Sequence, residues 1–190
     1  MPVTPPGIIG AVVPNLAAVS FIGTDVPKYA NAVAQGLVKW IPLIKVSTVD
    51  GGTAGAGTNV PLPLSIPTPV IYANLLAGMA AQGFKGPFMP LFCSGLANGL
   101  TAAFFQMLVK TNHPVVGVGS GIARFTAPPA ALSIISGFAA AGLNGPSTAQ
   151  AARALATGLD RTFASLVLPV VIVGTPSPTG ASGVGFGGIL

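Results

Sequence analysis

The stretch "GPFMPLFCSGLANGLTAAFFQMLV", residues 86–109, runs 24 residues without a charged side chain. About 20 apolar residues suffice for a helix to cross a bilayer. The segment is therefore either a membrane span or a helix that the chain hides inside itself. A pattern that occurs twice more in the sequence decides between them.

Three short turns, "FIGT" (21–24), "FKGP" (84–87) and "LNGP" (143–146), each carry a glycine, and thirteen residues later each is followed by another, in "VAQGL", "LANGL" and "LATGL". The pairs are Gly23 with Gly36, Gly86 with Gly99, and Gly145 with Gly158. Seventeen residues before each turn glycine stands a proline (Pro6, Pro69, Pro128), and the pairs Ala17-Ala18, Ala80-Ala81 and Ala139-Ala140 align without a gap. Such self-similarity marks internal repeats. Each copy reads as a helix opened by proline, where the missing N–H is harmless. A glycine turn ends that helix in the left-handed conformation, and a second helix follows. Thr24-Asp25 and Ser147-Thr148 offer capping groups for the second helix.

The second helix keeps a mid-helix glycine in every copy, although glycine there costs about 1 kcal/mol relative to alanine. Four residues earlier sits another small residue, giving the pairs Ala32 and Gly36, Gly95 and Gly99, Ala154 and Gly158. Residues four apart share a helical face, and small ones let two backbones approach closely. The simplest expectation is that the three second helices meet on these faces. The segments after them, "TVDGGTAGAGTNVPLPL", "KTNHPVVGVGSGIARFT" and "TPSPTGASGVGFGGIL", share Gly-x-Gly (Gly55/Gly57, Gly117/Gly119, Gly183/Gly185) and then a β-branched residue (Val60, Ile122, Ile189). They read as extended. The predicted fold is mainly α, one domain over 1–190. It holds three tandem αα-hairpin repeats (5–66, 67–127, 128–190) around a pseudo-threefold axis, with extended Gly-rich arms or short β hairpins.

The repeat bears on residues 86–109. The corresponding helix carries Lys28 and Lys39 in the first copy and Arg153, Asp160 and Arg161 in the third. Each charge at a bilayer centre costs about 2.5–3.5 kcal/mol, so no membrane span is expected. The 6% charged composition of this 190-residue chain is then too sparse to cover a polar exterior, and large apolar patches mark interaction surfaces. Burial in a homo-oligomeric assembly is the expectation.

Chemistry is scarce. The chain has one His, one Cys, three Asp (Asp25, Asp50, Asp160) and no Glu. Cys93 and His113 could in principle pair as nucleophile and base, but they stand twenty residues apart in different elements, so no catalytic residue is expected. No metal set and no cofactor site follow either. "GGTAGAGT" (51–58) lacks the Gly-Lys-Ser/Thr of a phosphate loop, and its Gly-x-Gly recurs as structure. Eight scattered Lys and Arg form no run, which excludes a phosphate-tracking nucleic-acid interface.

"YANAVAQGL" (29–37) followed by "GTAGAGT" (52–58) resembles virion structural proteins of tailed phages, in particular T4-like phages of cyanobacteria. The resemblance implies a non-enzymatic particle component of head, neck or tail, located in the virion with other virion proteins as partners. It brings no catalytic residues. Two other classes stay open: a membrane-active protein such as a holin or ejection-pore component, and a small-molecule binding module using the glycine arms.

Overall fold

Each third of the chain contributes two helices and then two strands. In the computed structural model these are α1 (Pro5–Ala18), α2 (Asp25–Trp40), β1 (Lys45–Gly51) and β2 (Gly57–Ser65); α3 (Thr68–Ala81), α4 (Phe88–Phe105), β3 (Leu108–Asn112) and β4 (Gly117–Arg124); α5 (Ala127–Ala140), α6 (Pro146–Ser165), β5 (Leu168–Gly174) and β6 (Gly183–Ile189). A short 3-10 turn, Ile41–Leu43, extends α2. The structure describes residues 4–43, 45–51, 57–65, 68–106, 108–112, 117–124, 127–165, 168–174 and 183–189. Gly55 and His113 lie outside them.

The first helices stop by one device used three times. The N–H of Phe21 donates to the Leu16 carbonyl at 3.0 Å and that of Ser20 to Ala17 at 3.0 Å. Phe84 and Gly83 repeat this on Met79 and Ala80 at 3.1 and 3.0 Å, and Leu143 and Gly142 on Phe138 and Ala139 at 2.9 and 3.0 Å. This nested pair of bonds is the Schellman ending, and it needs a left-handed residue. That residue is Ser20, Gly83 or Gly142, with φ of 66, 83 and 78°. The expectation that Gly23, Gly86 and Gly145 end the first helices is therefore corrected. They stand three residues further on, with φ of 131, 128 and 152°, and lead into the second helices. Side-chain capping by Thr24 is corrected too. Thr24 already has helical dihedrals and makes no side-chain cap bond; the Gly23 carbonyl instead accepts from the Val26 N–H at 3.3 Å.

Each helix packs on its neighbours in sequence, and α6 closes on α1, so the six form a ring. The apolar positions repeat from copy to copy. On the first helices, Ile8, Val12 and Leu16 correspond to Ile71, Leu75 and Met79 and to Ala130, Ile134 and Phe138, and all nine are buried. On the second, Val33 and Leu37 correspond to Leu96 and Leu100 and to Leu155 and Leu159, all fully buried. Ring contacts join α2 to α4 near both ends. Tyr29 meets Phe92 edge-on with centroids 5.8 Å apart, and Trp40 meets Phe104 at 4.8 Å.

The small-residue faces are used differently from the expectation. A Cβ on Gly99 would lie 2.5 Å from the Ile134 Cα, one on Gly158 2.8 Å from the Val12 Cα, and one on Gly36 3.2 Å from the Leu75 Cδ2. Each second helix thus turns its glycine toward the first helix of the next copy, not toward the other second helices. Helical period explains this. Tyr29, Val33 and Trp40 lie within about 40° of one another at 100° per residue, with Ala32 and Gly36 to one side. Bulk therefore joins the second helices, and the smooth flank admits the neighbouring first helix.

The glycine-rich segments pair as antiparallel hairpins, β1 with β2, β3 with β4 and β5 with β6. The hairpins pair in turn with one another, giving a closed six-stranded order β1-β2-β3-β4-β5-β6. The sequence does not foretell that closure. Among the described residues its narrowest seam is β2 with β3, paired at Gly57 with Thr111 and Thr58 with Lys110.

Candidate functional site

Among the described residues no three His, Cys, Asp or Glu side chains gather as a metal set. Cys93 is buried in α4. Burial pushes its thiol up to about 11, which disfavours the thiolate that a nucleophile requires. The Tyr29 hydroxyl is also enclosed; burial first, then the neighbouring Cys93, raises it well above the usual tyrosine range. The Cys93–His113 pairing lies outside the described residues because His113 does.

An apolar concavity sits where the helix turns gather, with a volume of about 580 Å³. The repeat builds it. The Schellman residues Phe21 and Phe84 contribute, as do Leu16 and Met79, which accept their hydrogen bonds. Val26 and Met89, each three residues after a turn glycine, line it from α2 and α4. Tyr29, Phe92 and Ala151, each six residues after a turn glycine, form its inner wall. Two of those three equivalent positions are aromatic and the third is alanine. Ile22 and Phe88 stand at the mouth, 80% and 70% exposed.

Besides Tyr29, the ionisable groups that line the pocket are Asp25 and Lys85, both exposed. The Lys28 ammonium donates to the Asp25 carboxylate at 3.0 Å, leaving Lys85 with no ion pair among the described residues. The opposite ends of the second helices are filled. There the equivalent positions are Trp40, Ala103 and Thr162, all buried, so one large side chain occupies the space two small ones vacate. The Trp40 Nε1 has no hydrogen-bond partner among the described residues, while the Thr162 hydroxyl donates to the Gly158 carbonyl at 2.8 Å. A second hollow of about 550 Å³ lies between α4 and α5, lined by Asn98, Gln106, Ser133 and Ser136 among others; Gln106 donates across it to the Ser133 hydroxyl at 3.2 Å.

Of the residues singled out from sequence, Ala32, Gly36, Gly95, Gly99, Ala154 and Gly158 sit in buried helix crossings, and Gly23, Gly86 and Gly145 in exposed turns. None lines the 580 Å³ pocket. The signal that locates it was in the repeat alignment: Ala151 breaks the aromatic series begun by Tyr29 and Phe92. No family model, curated protein or solved structure matches the chain.

Proposed function

We propose that the protein is a non-enzymatic building block that works by apolar packing against symmetric neighbours, as a structural protein of a phage head, neck or tail would. The observation that carries the reading is apolar exposure on a chain nearly without charge. Ile22, Phe88 and Leu132 are 80, 70 and 66% exposed, while only 6% of residues are Asp, Glu, Lys or Arg. Neighbouring subunits would cover these side chains. The virion setting rests on the resemblance of residues 29–37 and 52–58.

The same reading includes a pseudo-threefold axis along the second helices. Its support is the equal burial of equivalent positions, together with the paired contacts of α2 and α4 at both ends. Contacts made by packing lack the screened ion-pair component, so assembly should persist as salt is raised. Light scattering on purified protein in detergent-free buffer tests this: a defined oligomer is expected at 0.1 M and 1 M salt, and a stable monomer at micromolar concentration would overturn it.

One observation favours a second reading, a membrane-active protein such as a holin or ejection-pore component. Helix α4, Phe88–Phe105, has 18 residues at a mean hydropathy of 1.4, and 44% of it is buried within the chain. Against this, Leu96, Leu100 and Phe104 are already spent on the core, and the outward side at mid-helix carries exposed Asn98. Carbonate-resistant sedimentation with vesicles would support the membrane reading; solubility without detergent counts against it.

A further inference from the structure

We infer that the pocket at the helix turns is a binding site for an anionic amphiphile with a single alkyl or acyl chain. Three independent features point to this. The first is size: about 580 Å³ falls within the roughly 300–1,000 Å³ of small-ligand sites. The second is the lining. Side chains such as Leu16, Met79, Val26 and Met89 present hydrocarbon and thioether, and Met adapts its shape to irregular apolar ligands. Tyr29 and Phe92 add aromatic surface to the lining.

The third is charge. At the mouth Asp25 is held by Lys28 at 3.0 Å, so the rim carries one uncompensated positive charge, on exposed Lys85. The other acidic helix residue, Asp160, stands nine residues beyond Ala151 along α6, about 13 Å of helix rise away. A chain with a carboxylate, sulfate or phosphate head would bury its tail against the lining and leave its head beside the Lys85 ammonium. A neutral alcohol of the same length would gain only the burial.

The reason the site is vacant of protein is specific. In two copies the position six residues after the turn glycine is aromatic, and these rings contact each other at 5.8 Å. The third copy has Ala151 there. At the far end of the helices a single tryptophan makes good the small residues of the other copies; at this end Phe138 of α5 stacks on Phe92 with centroids 5.1 Å apart, and Ala151 remains a small lining group of the pocket. Filling Ala151 with an aromatic would complete the layer from within.

Isothermal titration of the purified protein with dodecanoate, dodecanol and dodecyltrimethylammonium, the ions below their micelle-forming concentrations and the alcohol below its solubility limit, tests the site. Dodecanoate is expected to bind with one site per chain and tighter than the other two. Ala151→Phe should abolish binding while leaving the melting temperature equal or higher. Lys85→Gln, at an exposed position, should weaken dodecanoate several-fold and leave dodecanol unchanged. Absence of dodecanoate binding, binding untouched by Ala151→Phe in folded protein, or an equal loss of all three ligands in Lys85→Gln would each overturn the inference. Flotation with phosphatidylglycerol vesicles separates a lipid surface from a free ligand: flotation unaffected by Ala151→Phe, without dodecanoate binding, would mean that the exposed tip and not the pocket is used.

Discussion

Two crossings of the same kind, α4 on α5 and α6 on α1, are built with different stringency. In the first, Gly95 and Gly99 of α4 face Gly137 of α5. A Cβ on Gly137 would lie 2.5 Å from the Gly99 nitrogen and 2.8 Å from its Cα. In the second, Ala154 and Gly158 of α6 face a helix that has Asn15 where α5 has Gly137. The Asn15 amide nitrogen donates to the Ala11 carbonyl at 2.6 Å, so a polar side chain is accommodated on its own helix at a position where the sister crossing admits no side chain at all. The α2–α3 crossing is intermediate, with Ala32, Gly36 and Gly78. Backbone contact is thus a matter of degree across the repeats, and it is closest where three glycines meet, at α4 on α5.

This ordering can be broken by adding single methyl groups. Gly137→Ala should have the largest effect, since its Cβ meets backbone that cannot move aside. Overpacking typically costs 1–3 kcal/mol, and a loss of about 3 kcal/mol is expected from urea unfolding. Gly158→Ala, whose Cβ would lie 2.8 Å from both Cα and Cγ2 of Val12, should lose about 2 kcal/mol because one of those atoms belongs to a side chain that can turn. A loss at Gly158 larger than at Gly137 would invert the comparison.

The helix endings sharpen it from a different side. Ser20 holds a φ of 66° where the other copies use Gly83 and Gly142, and a left-handed non-glycine residue costs about 1–2 kcal/mol. Glycine's greater freedom in the unfolded chain offsets part of that, so Ser20→Gly should stabilise the protein by about 0.5–1 kcal/mol, read as a rise in melting temperature. Gly83→Ala should do the reverse. The smallest effect is expected at Gly36→Ala. Its Cβ would meet the Leu75 side chain at 3.2 Å, and the helix-propensity gain of about 1 kcal/mol should cancel the repacking, leaving a net change within about 0.5 kcal/mol.

The sequence carried the helical pairs plainly, because glycine spacing, helix-opening prolines and the apolar period all agree on where each helix lies. It did not say which helix each smooth flank would meet. A small face announces close approach by some backbone, and Gly36, Gly99 and Gly158 fit a second helix or a first helix equally well until bulk at Val33, Leu96 and Leu155 is given its place. The turn glycines misled for a related reason. Gly23, Gly86 and Gly145 are the invariant letters among the three copies, while the helix-ending position varies between Ser20, Gly83 and Gly142, although all three adopt the same backbone. Closure of the strands depends on pairings between copies such as Gly57 with Thr111, which no local pattern encodes. The pocket was legible in principle as the odd alanine at 151, but its value emerges only when Tyr29 and Phe92 are seen to touch.

The equivalence of the three copies has a direct test in chain order. The connections from Ser65 to Thr68 and from Arg124 to Ala127 each use two intervening residues. Joining Leu190 to Thr4 would link β6 to α1 with two as well, and α6 already packs on α1 while β6 pairs with β1. A circular permutant running 67–190 and then 4–66 should therefore melt cooperatively within a few degrees of the natural order, by far-ultraviolet circular dichroism. Failure of that permutant to fold, or a broad non-cooperative melt, would contradict a molecule made of three interchangeable helical pairs closed on themselves.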